Sequence, residues 1–199
     1  MKRIMLVLIG LAIAACVRAG NVQAAVYEID PAHSTIGFAV KHLVVSTTRG
    51  QFDQYTSSIT YDSADLSSFN AHVVIEANSI DTNNEKRDGH LKSADFFDVE
   101  NFPTITFKGK AISKNDEGGL TITGDLTIKG VTKAIEIPVT IEGPIQSPQG
   151  FSAIGIGGEV SINRQDFGIT WNNALDSGGL MVADNVRLLI EIEAHSAAE

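Results

Sequence analysis

Apolar and polar residues alternate along several stretches of this chain, the period of half-buried strands. Between Leu120 and Ile128, Leu120, Ile122, Leu126 and Ile128 share one parity and Thr121, Thr123, Asp125 and Thr127 the other, with Gly124 marking a bend. The following run sets Ile135, Ile137, Val139 and Ile141 on one face, and the Lys129-Gly130 junction suits a hairpin between the two. Pro138 has no N–H for a ladder, so it predicts an edge or a bulge there. Ala71, Val73, Ile75 and Ala77 oppose His72, Val74 and Glu76; Ile105 and Phe107 oppose Thr104, Thr106 and Lys108; Ile36, Phe38 and Val40 repeat the pattern. Further strands are predicted over 27–29, 49–61, 151–162 and 185–194. Eight or nine strands with Gly-rich turns and one apolar face each predict an all-β domain, a sandwich or a closed barrel.

Two segments depart from the alternation. Residues 81–98 are polar, and Thr82-Asn83-Asn84-Glu85 has the spacing of a capping box, which predicts a short helix near residues 82–95. Residues 171–184 carry Gly178-Gly179 and no periodicity, and are expected to form a long loop over the mouth of a barrel.

The first residues do not belong to the fold. Lys2 and Arg3 precede an apolar run from Ile4 to Ala15, the layout of a secretory signal, too short to span a bilayer as a stable helix. Two cleavage sites compete. One follows Ala24, leaving residues 25–199 as a single domain; the other is the lipobox-like Ile13-Ala14-Ala15-Cys16, which would make 1–15 a lipoprotein signal and lipidate Cys16. The expectation is a periplasmic protein, with a lipid anchor through Cys16 as the alternative. Cys16 is the only cysteine, so no internal disulfide forms. Loss of residues 1–24 removes three cations, Lys2, Arg3 and Arg18, and no acid, taking the net charge from −9 to −12. Such an acidic chain, without clustered Lys and Arg beyond Lys86-Arg87, is expected to bind no nucleic acid.

Candidate chemistry is sparse. His33 and His42 stand nine positions apart; in an unbroken strand they would face opposite ways, about 30 Å apart at about 3.3 Å per residue, so no shared metal is expected. Asp95 and Asp98 in "DFFD" could serve as acid and base, or as helix-end caps. Gly155 to Gly158 lacks the Lys-Ser or Lys-Thr of a phosphate loop. Neither a nucleophile elbow nor zinc-ligand spacing occurs, so no catalytic residue is assigned and no enzyme is expected. Arg87 and His90, with Lys86 and Lys92, form a cationic island able to meet an anionic head group, or simply a solvated helix face. Trp171, the sole tryptophan, could stack on a ligand or fill core.

Several blocks together resemble one family: "DPAHSTIGFAVKHL" with Gly50-Gln51-Phe52 after it, "KRDGHLKSADFFDVENFPTITFKG", "GDLTIKGVTKAIEIPV", and "INRQDFGITWN" followed by "DNVRLLIEIEA". They are similar to the YceI-like family of exported, lipocalin-like isoprenoid-binding proteins, over about 26–194. The resemblance implies an extended eight-stranded antiparallel barrel whose lumen holds a long-chain amphiphilic lipid: a polyprenyl diphosphate, an isoprenoid quinone or a fatty amide. It implies no cofactor beyond that bound lipid, no metal and no catalysis. Luminal contacts would then come from Phe38, Val40, Phe107, Leu120, Ile122 and Leu126, with Ile137, Val139 and Trp171 beside them and Arg87 and His90 as polar candidates. His33, His42, Asp88, Asp95 and Arg164 also fall in family motif positions. Expected partners are the lipid, a membrane met during lipid exchange or through Cys16, and a second copy of the chain. The rival readings are a lipid-acting hydrolase and a membrane-spanning barrel. The latter would turn apolar residues outward and carry aromatic girdles, against an aromatic content of 7%.

Overall fold

The fold is that of a computed structural model describing residues 24–116, 118–173 and 181–197. Among these residues eleven strands form: β1 Ala25–Ile29, β2 Thr35–His42, β3 Ser46–Phe52, β4 Tyr55–Tyr61, β5 Asn70–Glu76, β6 Ile80–Asp81, β7 Thr104–Lys114, β8 Leu120–Ile128, β9 Val131–Gln146, β10 Ser152–Asn163 and β11 Val182–Ser196. Three pairs are single lines broken by short irregular stretches: β1 with β2, β3 with β4, β5 with β6. β1 takes the C-terminal end of β11 and β2 its N-terminal part, so the eight lines close into an antiparallel barrel. Closure leaves only the ends of the barrel open, and one apolar face per strand is enough to fill it. Along β8, Ile122, Leu126 and Ile128 are buried while Thr121, Thr123, Asp125 and Thr127 are less so, as parity predicts. The opposite faces carry ion pairs such as Lys110–Asp125 (2.7 Å) and Arg187–Glu159 (2.9 Å). Polar faces outward and apolar faces inward are the reverse of a membrane-spanning barrel.

Several expectations are corrected. The line expected over 49–61 breaks at Asp53-Gln54, and β11 begins at Val182 instead of Asn185. The stretch Pro31–His33 is a 3-10 turn, so His33 is not part of the strand. Helix α1 spans Glu85–Lys92, and its N-cap is Asn84, whose side chain accepts from the Arg87 N–H at 3.0 Å. Thr82 is no cap. It is buried, and its hydroxyl lies between the Asp88 carboxylate and the Arg87 guanidinium. At Gly124 the β7–β8 register shifts, between Gly109 and Ala111; a Cβ there would lie 2.5 Å from the Lys108 carbonyl oxygen and 2.7 Å from the Phe107 ring, so glycine admits that ring onto the strand. Pro138 sits where β9 has lost β10: pairing between them ends at Val139–Gly158, which makes Pro138 an edge residue as predicted. The Lys129-Gly130 hairpin forms, with positive φ at both residues. Of the loop expected over 171–184, residues 174–180 lie outside those described, and 182–184 belong to β11 instead.

Candidate functional site: an apolar lumen with a cationic rim

The inward faces do not meet. They enclose a cavity of about 360 Å³, within the size range of small-molecule pockets. Of the eleven residues proposed from the sequence, ten line it: Phe38, Val40, Phe107, Ile122, Leu126, Ile137, Val139, Trp171, Arg87 and His90. Leu120 does not. It stands at the start of β8 and packs half-buried against the core. Sequence reasoning missed the aromatic contribution of Phe52, Phe96, Phe97 and Phe167. Phe96 and Phe97 are the spacer in "DFFD", and two adjacent aromatics after a polar helix are themselves a burial signal.

Among the described residues the polar lining is confined to His42, Thr48, Arg87, His90, Arg164 and the tryptophan, and these sit at one end of the barrel. Among the described residues no carboxylate lines the cavity. Helix α1 carries Arg87 and His90 to this rim. Arg87 donates through Nε and Nη2 to the hydroxyl and carbonyl of Thr82, both at 2.7 Å, which orients the guanidinium. His90 bonds Asp95 at 2.9 Å and meets Phe96 and Trp171 edge-on, with centroids 5.0 and 4.8 Å away. Trp171 therefore both packs and lines. Asp98 accepts instead from Asn101, so the two carboxylates of "DFFD" serve different partners and make no acid–base pair.

Arg164 is buried, at 5% exposure. Its guanidinium donates to the carbonyls of Ala183 (3.0 Å), Ile169 (2.7 Å) and Trp171 (2.9 Å) and pairs with Asp184 at 3.0 Å. Burial pushes its pKa down, opposed by Asp184. With its donors spent on protein, Arg164 holds the rim together.

His33 and His42 are apart, as expected: His42 lines the cavity, whereas His33 lies on an exposed turn with Nδ1 2.6 Å from Asp30. That hydrogen bond holds the Asp30 carboxyl below the usual range and the His33 imidazole above it. Asp30, His33 and Glu193 each bring one donor atom within 4.8 Å of the others, but none of the three lines the cavity.

The YceI-like domain family matches residues 27–194. A UPF0312 protein of Staphylococcus aureus (strain N315) is 40% identical over 162 residues, 81% of this chain and 92% of its own. The YCEI protein of Campylobacter jejuni superposes with a TM-score of 0.68 at 34% identity, covering 79% of this chain and 90% of its own. At 15% identity, a polyisoprenoid binding domain from Saccharophagus degradans implicated in plant cell wall breakdown shares the fold, with a TM-score of 0.61 over 88% of this chain and 100% of its own.

Proposed function

The chain belongs to the YceI-like domain family, and from that premise we propose that it is a non-enzymatic carrier holding one long-chain isoprenoid amphiphile, its tail in the lumen and its head at the rim. One observation carries the reading: a lumen walled by apolar side chains from every strand line whose polar residues are gathered at one end. The polyisoprenoid-binding description of the Saccharophagus degradans relative supports it. Burying hydrocarbon yields about 0.8 kcal/mol per CH₂, so a few isoprene units outweigh the ordering costs of binding. Among the described residues the cavity lining includes Arg87 and His90 and no carboxylate, which favours an anionic head such as a diphosphate over a quinone. Acting in the periplasm, the carrier would be exported by its N-terminal segment and begin at Ala25, where β1 also begins.

Mass spectrometry of protein purified from its native host tests this directly. The intact chain is expected to start at Ala25, and solvent extraction to release about one isoprenoid lipid per chain. An empty lumen that also fails to take up added isoprenoid would overturn the reading, and a lipidated Cys16 would replace the soluble carrier by an anchored one.

The head group has its own test. A hydrogen bond to a charged partner contributes about 1.5–3 kcal/mol, so Arg87→Gln is expected to weaken binding of a polyprenyl diphosphate roughly 10-fold to 100-fold, and of a quinone far less. Equal effects on both, in variants of unchanged melting temperature, would remove Arg87 from head-group recognition.

A further inference from the structure

We propose that the tip of the β2–β3 hairpin, Leu43-Val44-Val45, inserts into the interfacial layer of an anionic lipid bilayer and holds the cavity mouth against it. The inference rests on the carrier reading and says where that carrier exchanges its lipid. Val44 and Val45 are 75% and 83% exposed, and Leu43 37%. Among the described residues the other exposed large apolar side chains, Val26 and Ile145, stand singly on β1 and β9. Only this tip presents consecutive ones.

The backbone adds an independent observation. The turn closes with the Val45 N–H donating to the His42 carbonyl, and both central residues are left-handed, Leu43 at φ 52° and Val44 at φ 64°. Such a turn favours Asn-Gly, and a β-branched residue there is strained. Leucine and valine are thus poor choices for folding and good ones for display. Strained backbone of this kind clusters at functional sites.

Position and charge select the occupant. The Leu43 N–H donates to the Met181 carbonyl at 2.8 Å, and His42 pairs with Val182; Met181, Val182 and His42 all line the cavity. A surface gripping the tip therefore faces the opening. Exposed Lys41 and Arg49 flank the tip, and β2, β3 and the turn between them contain no Asp or Glu, in a chain of net charge −9. Apolar insertion beside cations is the combination that binds anionic bilayers. Three side chains are too few for a stable interface with a second copy, which needs about 800 Å² per partner.

The test is flotation of the mature protein with vesicles of phosphatidylcholine alone or with 30% phosphatidylglycerol added (about a third anionic lipid, enough for a negative surface). The variant is Val44→Asn with Val45→Ser. Asn suits the left-handed turn, so melting temperature should hold or rise, and neither residue lines the cavity. Wild type is expected to float with the anionic vesicles and less with the neutral ones. The variant should lose at least 10-fold in vesicle binding while retaining its lipid, and Lys41→Gln should flatten the salt dependence. Failure of wild type to float, or equal flotation of the variant, overturns the proposal. So does a change confined to self-association or to capture of another protein. Tip-dependent flotation of a chain that neither carries nor accepts isoprenoid would sink the carrier reading and leave the docking surface standing; lipid uptake without flotation would do the reverse.

Discussion

Arg164→Leu is expected to destabilise the domain by about 3–5 kcal/mol, the range for breaking a buried pair by removing one partner. The carboxylate of Asp184 keeps 33% of its surface in water and contributes the smaller share. The larger share comes from the carbonyls of Ala183, Ile169 and Trp171, which lose their donor where water enters poorly. For a domain of this size the melting temperature should fall by roughly 6–20 °C. Arg164→Lys should recover only part of the loss, because one ammonium cannot reach carbonyls spread over two chain segments. Asp184→Asn should cost about 1 kcal/mol, since it removes the charge and leaves the backbone bonds in place. Urea unfolding gives these differences, and the emission of Trp171, the sole tryptophan, reports on the rim in the same titration. An Arg164→Leu protein within about 1 kcal/mol of wild type would show that the rim does not depend on this clamp.

What the sequence revealed of this architecture, and what it hid, follows from the range of the forces involved. Parity is local and decided by burial, so the inward positions of β5, β7, β8 and β9 were legible from alternation alone. The β2–β3 turn was not, because turn chemistry is read from Gly, Asn, Asp and Pro, and Leu43-Val44 offers none of them. The helix cap was misassigned for a related reason. Thr82 has the right spacing, but its hydroxyl is claimed by Asp88 and Arg87, and Asn84, two residues on, takes the cap. Leu120 shares the luminal parity of Ile122, yet parity gives the face of a strand and not the depth along a barrel. The Arg164 clamp joins residues up to nineteen positions apart through backbone carbonyls, which carry no sequence signature at all. In Arg164 only the family motif marked the position; its role emerged from the hydrogen bonds.

Ile122→Asn is expected to empty the lumen while Thr123→Asn, its neighbour in sequence, leaves it filled. Ile122 is buried, lines the cavity and stands across from Ile112 and Ile137; Thr123 lies on the other face between Ala111 and Glu136. A luminal amide without a partner costs about 1–3 kcal/mol and invites water where the lipid tail should lie. Isoprenoid affinity should therefore fall roughly 5-fold to 150-fold, taking about 1.4 kcal/mol as tenfold. Part of the loss could arise from the fold, since the same amide replaces a core side chain. Ile122→Val separates the two: it trims the core by one methylene, costs about 0.5–1.5 kcal/mol of stability, and keeps the lumen apolar. Retained lipid is then compared among variants at a temperature well below the lowest melting point. If folded Ile122→Asn keeps as much lipid as wild type while Thr123→Asn loses it, the ligand contacts the outer face of β8 and the lumen-carrier reading fails. If Ile122→Val and Ile122→Asn lose lipid equally, the loss follows packing instead of polarity, and the apolar lumen is not what selects the tail.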